Sequence, residues 1–246
     1  MSTNDQSGMI GGKRIGLIYL IFSLAIISVG IYNFLEQRSN VYADAKNKLT
    51  SIGTLKNTGI QQWYDDQKEA ADLFYQNPIM TDFVRKQIQD NLTSEETVAV
   101  TQWVEKIKDT HFLTDIILLD EQGRIINSRY PFSGQVDAHI VDVLQASSKN
   151  QNIQFVDLFL LTDSQKPACA FIVPLVTADD NESVIGYTII MIDPNIYLYP
   201  FISSWPDSSQ TSESLIIRKE GDRVLFLNNL RFQPDAALKF SLPFDT

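Results

Sequence analysis

The sequence predicts an α+β protein. It reads as a transmembrane helix, a long juxtamembrane helix, a five-stranded antiparallel sheet module with helices on one or both faces, and the start of a second such module. Three observations predict this. Residues 15–35 are an apolar run without one charged residue, long enough at about 1.5 Å per residue to cross a bilayer core of roughly 30 Å. After that run no proline occurs until Pro78, and apolar residues recur at helical spacing. Beyond Thr114 the period shortens to that of strands, and glycine-bearing turns separate short apolar runs.

The apolar run carries Lys13 and Arg14 at its entry and Glu36 and Arg38 at its exit. A basic flank on the N-terminal side orients residues 1–14 as a cytoplasmic tail and the bulk of the chain outside. The competing reading is a cleaved signal peptide. Signal h-regions are about 7–15 residues, and the nearest small-x-small pattern, Ala43-Asp44-Ala45, lies well past the run. An uncleaved anchor over 15–35 is therefore expected. The first twelve residues, polar and glycine-bearing, are expected to be disordered.

The 246 residues carry a net charge of −10. Residues 1–35 hold Lys13 and Arg14 against Asp5, so the remainder is more acidic still. Such a domain repels phosphate backbones, and nucleic-acid partners are excluded on that ground. The single cysteine, Cys169, permits no intrachain disulfide. A core large enough to do without staples is then required, as in a periplasmic domain.

Past the anchor, Tyr42, Ala45, Leu49 and Ile52 alternate by three and four, with Gly59 and Trp63 in phase. The stripe fits a homodimer seam or packing on the chain's own sheet, and the two are not exclusive. Pro78 suits the first turn of a helix with Phe83, Val84 and Ile88 on one face. Thr93 to Glu96 has capping-box spacing ahead of Val100, Val104 and Ile107. Strands are expected at 116–119 and 124–128 around Asp120-Glu121-Gln122-Gly123, followed by a helix at 135–148. Three more strands are expected at 155–161, 168–176 and 184–192, joined by short polar loops, which makes the sheet antiparallel. An aromatic-rich helix at 195–203 ends this module. A hairpin at 215–228, turning at Lys219-Glu220-Gly221-Asp222, repeats the pattern of 115–128, with a further strand near 238–242. Residues 213–246 by themselves have too few strands to bury their apolar face.

Reactive chemistry is sparse. His111 and His139 have no second ligand at metal spacing, and Asp179-Asp180-Asn181-Glu182 lacks the glycine and later glutamate of a calcium loop. There is no nucleophile elbow, phosphate loop or zincin motif. Cys169, in an apolar strand, reads as an inert core thiol. No catalytic residue, metal site or cofactor is expected, and the chain does not read as an enzyme.

Several segments together resemble the double Cache, PAS-like sensor regions of bacterial sensor histidine kinases and diguanylate cyclases. They are Leu198-Tyr199-Pro200-Phe201-Ile202, Ser204-Trp205-Pro206, Glu213, Leu215, Arg218, Gly221-Asp222, Val224 to Asn228 and Leu230-Arg231. Leu119-Asp120 with Gly123-Arg124, and Ile185-Gly186 with Ile192-Asp193, add to the resemblance. It implies a long helix plus membrane-distal module over 36–203, a linker and truncated second module over 204–246, and a ligand site in the distal module. It further implies an extracytoplasmic ligand-sensing domain of an inner-membrane receptor, with a periplasmic protein-interaction module as the alternative. Amino-acid-binding members carry arginine and aromatic residues at the helix start, where this chain has Asp137-Ala138-His139-Ile140. They carry a strand tyrosine where Phe159 stands and an aspartate where Met191 stands. The expected small-molecule ligand is therefore not a standard amino acid.

Within that frame, alternation along a strand puts Tyr187, Ile189 and Met191 on one face, which by the resemblance looks into the site. The same rule groups Phe155, Asp157 and Phe159. Asp157, charged amid apolar neighbours, is expected either to face a ligand or to pair with Arg129 or Arg124. Tyr130, before Pro131, completes the expected ligand-binding set of Tyr130, Asp157, Phe159, Tyr187 and Met191. Ordinary core packing is an equal reading for each aromatic residue.

Overall fold

The structure, a computed structural model, describes residues 6–127, 136–177, 183–206 and 212–244. The chain divides into two compact units, Met1–Leu55 and Lys56–Thr246. The first unit is helical. Its helix, α1 (Gln6–Asp72), continues into the second unit. The helix thus covers most of the first twelve residues, where the sequence reads as a disordered tail. No proline precedes Pro78 to break it, and isolated glycines cost a helix only about 1 kcal/mol each. Phe22 and Ile26 are about two-thirds exposed, and Tyr42 and Leu49 are exposed as well. Among the described residues this is the one helix long and apolar enough to cross a membrane.

The second unit begins with residues 56–72 of α1 and continues through α2 (Pro78–Ile88), α3 (Ser94–Thr110), β1 (Asp115–Asp120), β2 (Ile125–Asn127) and α4 (Ala138–Asn150). Then come β3 (Gln154–Leu160), β4 (Pro167–Val176), β5 (Val184–Ile192), α5 (Leu198–Ser203), β6 (Ile217–Glu220), β7 (Arg223–Phe226) and β8 (Ser241–Pro243). The starts of α2 and α3 follow from local chemistry. Asn77 accepts from the Ile79 and Met80 amides with Pro78 at the first turn, where its missing N–H costs nothing. Thr93 and Glu96 form a reciprocal capping box. Lys86 of α2 reaches Glu96 at 2.6 Å, and with Thr93 it holds that carboxyl at a pKa of about 2. Ile88, expected on one face with Phe83 and Val84, is the last residue of α2 and is exposed, while Phe83 and Val84 are buried.

The five strands pair antiparallel in the order β2-β1-β5-β4-β3. Gly123 turns the β1–β2 hairpin at φ +79°, while the Asp120 carboxylate accepts the Gln122 and Arg124 amides. Pro174 sits inside β4 without cost, because β3 pairs with β4 only as far as Ile172. On that side Pro174 has no neighbour to donate to.

Helices cover both sheet faces. Trp63 and Phe74 from α1 and the turn after it, Phe83 and Val84 from α2, and Val100 and Ile107 from α3 pack with Leu118, Phe171 and Ile190. On the other face α4 lays Ile140 against a layer containing Ile117, Leu119, Ile172, Tyr187 and Ile189. Cys169 is fully buried in the first layer, and burial pushes its thiol far above its ordinary pKa, which leaves it inert.

The C-terminal strands form a separate antiparallel sheet, β6-β7-β8. Its hairpin turns at Gly221, φ +62°, with β6 beginning two residues later than the sequence suggests. Ile216, Leu225, Leu227 and Ala237 join the core that contains Trp63 and Ile202. Leu227 and Ala237 are buried there while Ile217, Leu242 and Phe244 stay exposed, so this core covers part of the apolar surface that three short strands cannot bury among themselves.

Candidate functional site

Strand pairing builds the α4-side face of the sheet. On β5, Tyr187, Ile189 and Met191 alternate with Thr188 and Ile190. They stand opposite Leu119, Ile117 and Asp115 of β1 and opposite Pro174, Ile172 and Ala170 of β4. Tyr187, Met191 and Phe159 are each no more than 4% exposed and belong to one buried layer with Ile140. Three of the five residues singled out by the sequence are thus brought together. Tyr130 lies outside the described residues, as does Arg129.

Asp157 does not join them, and this corrects the simple alternation expected along β3. The β3–β4 register shifts between Val156 and Phe159, and a bulge of this kind resets the two-residue period. Phe155 consequently packs with Tyr64 and Phe171, at ring distances of 5.2 and 4.9 Å, while Phe159 faces α4. Asp157 sits on the irregular stretch with its side chain half exposed and ion-paired with Arg218 of β6 at 3.1 Å. Its other oxygen accepts the Leu158 amide. Arg124, one expected partner, instead binds Asp120 at 2.6 Å.

At the start of α4, Asp137 is buried and fully engaged. One oxygen accepts the His139 amide at 3.1 Å and contacts His139 Nδ1 at 2.9 Å, and the other accepts the Thr162 amide at 2.7 Å. The His139 ring stacks on Phe159 at 5.1 Å. The expected helix over 135–148 had no named cap. α4 begins at Ala138 with Asp137 as its N-cap, a short polar residue suited to that place, and its bond to Thr162 has no local signal. Burial pushes Asp137 up, yet the hydrogen bonds from Thr162 and His139 outweigh it and hold the carboxyl below its ordinary value. A depressed folded-state pKa gives stability that is present above the unfolded value of 3.8 and lost as pH falls through the folded one. Asp137→Ala is expected to destabilise the chain by about 1–2 kcal/mol at pH 7. The difference from wild type should shrink below about pH 3.8, read from urea unfolding across pH. A deficit that persists undiminished at low pH would show that the carboxylate's charge is not the source.

Two cavities lie at the end of the sheet near Asp193, where sequence pattern gave no signal. A recess of about 30 Å³, bounded by Thr114, Asp115, Leu161, Ala168 and Met191, has room for water rather than a metabolite. A more open polar cleft of about 310 Å³ lies between Lys166, Pro167 and Asp193 on one side and Asn229, Asp235 and Lys239 on the other. It exists only because the C-terminal segment docks there.

No protein-family model matches the sequence, and no curated protein does. Solved structures do share the fold. The sensor domain of the V. cholerae histidine kinase DctB is 16% identical, aligned over 66% of this chain and 60% of that one, with a TM-score of 0.50. The ligand-binding domain of the Pseudomonas aeruginosa PAO1 amino acid chemoreceptor PctC, solved with GABA, is 14% identical over 78% of each chain, with a TM-score of 0.52. This chain spans about 60% of the V. cholerae domain. The fold of this chain is the one these two domains share.

Proposed function

We propose that this chain is the ligand-sensing part of a membrane-bound bacterial receptor. Residues 15–35 cross the inner membrane with residues 1–14 in the cytoplasm, and residues 36–203 carry the membrane-distal sensing module. Residues 204–246 begin a second module. A small molecule other than a standard amino acid binds the α4-side face of the sheet against Phe159, Tyr187 and Met191. The chain pairs with a second copy along the exposed Tyr42–Leu49 stripe. The observation that carries the reading is the sensor-domain fold on a chain whose first helix holds an uncharged run long enough to span a bilayer.

The α4-side layer is already packed among the described residues, with Ile140, Phe159 and Tyr187 buried. A ligand entering it must displace side-chain contacts and with them α4. That gives the module two states for a ligand to choose between, and binding shifts their balance only through its difference in affinity for the two. Binding to the native state alone must raise stability, by about 2.7 kcal/mol at a hundredfold excess over Kd. The test is a thermal-shift screen of the full chain in detergent micelles against neutral, anionic and cationic metabolites. At least one class should raise Tm, and Tyr187→Ala should weaken that ligand severalfold per folded molecule. A screen in which no metabolite shifts Tm, or in which Tyr187→Ala leaves affinity unchanged, counts against this site.

A further inference from the structure

Besides burying Leu198, Tyr199 and Ile202 in the core, α5 is held by polar contacts at three places. At its entry, β5 ends at Ile192 and the Asp193 carboxylate accepts both Asn195 nitrogens, at 2.8 and 2.7 Å. The Tyr199 amide then returns to the Pro194 carbonyl at 2.8 Å. At its flank, the Tyr199 hydroxyl donates to the Leu227 carbonyl of the C-terminal segment at 2.6 Å. At its end stands Lys56 of α1. The ammonium donates to the Phe201 carbonyl, to the Ser204 carbonyl at 2.5 Å and to Ser204 Oγ at 3.0 Å, and it lies 4.6 Å from the Phe201 ring centre. The ring itself rests on Gly59, where a Cβ would overlap it.

This is a specific piece of chemistry. The last carbonyls of a helix have no intrahelical donor and form the negative end of its dipole, so a cation is their natural complement. The aromatic face adds a second attraction. Lys56 is only 9% exposed, and burial lowers its pKa. Its hydrogen bonds go to neutral oxygens, so the cost of burying the ammonium is offset only while these acceptors and the ring stay in place together. Losing the position of α5 removes all of them at once.

We propose that Lys56 is a releasable latch. Closed, it makes the end of β5, α5 and the C-terminal sheet one body with residues 56–72 of α1. Open, it frees α5 and that sheet while the five-stranded sheet stays folded. The latch rests on the sensing reading only for the signal it carries from β5 to α1; the joint itself stands on the contacts of Lys56, Gly59 and Tyr199.

Hydrogen exchange on the full chain in detergent micelles, with no ligand added, tests it. In Lys56→Met, amides of residues 198–204, 225–227 and 238–240 should exchange about tenfold faster or more, while β4 and β5 stay within about twofold of wild type. Ser204→Ala, which removes one of the acceptors, should raise exchange at 198–204 by about threefold or less. Gly59→Ala pushes the Phe201 ring off α1 with the lysine still present and should give the same local pattern as Lys56→Met. Acceleration spread evenly over the sheet in both variants would mean that Lys56 and Gly59 only support global stability. Unchanged exchange at 198–204 in Lys56→Met, or in Gly59→Ala should the first variant not fold, would equally overturn the latch. Neither result touches the ligand screen, so the two readings fail separately.

Discussion

Gly186→Ala should cost about 3 kcal/mol of stability, measured as a fall in the urea midpoint at constant m-value. Gly186 lies in β5 between Asp120 of β1 and Leu175 of β4. A Cβ there would press into the backbone carbonyl oxygen of Leu119 and stand 3.3 Å from a Val84 methyl. The first obstacle is main chain in the middle of a paired sheet, which has no rotamer to move to. For a domain of this size the loss corresponds to roughly 6–12 °C in Tm. A loss under about 1 kcal/mol would mean that β1 yields at this point, and that the close approach is not a constraint on the fold.

Phe74→Ala should have a similar or larger effect, about 3–5 kcal/mol. Phe74 is completely buried in the turn that follows α1, with its ring 5.1 Å from that of Trp103 of α3. Removing it leaves a cavity where α1, α2 and α3 converge on one face of the sheet. Because Phe159, Tyr187 and Met191 belong to the layer on the opposite face, affinity per folded molecule for a ligand at the site proposed there should stay near wild type. A large change in affinity from Phe74→Ala would show that the two layers are coupled far more tightly than their separate packing implies.

Much of the fold was legible from local chemistry. The Pro78 start, the Thr93–Glu96 box and the Gly123 turn came from residues close together in sequence, and short connections made the last three strands antiparallel; the strand order did not, because β1 pairs with the distant β5. Tyr187 and Met191 were placed on one face because β5 keeps a regular two-residue period. Asp157 was misplaced because a bulge in β3 is a property of the β3–β4 pair, and no residue in β3 alone announces it.

The amino-acid sequence by itself determined the uncharged run over 15–35, the absence of an intrachain disulfide, the Thr93–Glu96 box and the period of a regular strand such as β5. Each of these depends on residue type or on neighbours within one turn or hairpin. Tertiary structure alone decided the rest. It chose helices on both faces of the sheet, took Asp157 to Arg218 across 61 positions, and set Lys56 against the end of α5 across 145. The physical reason is range. Caps and turns are satisfied by groups a few residues away, whereas a bulge, an ion pair between strands or a buried ammonium finds its partner only once the chain has closed on itself.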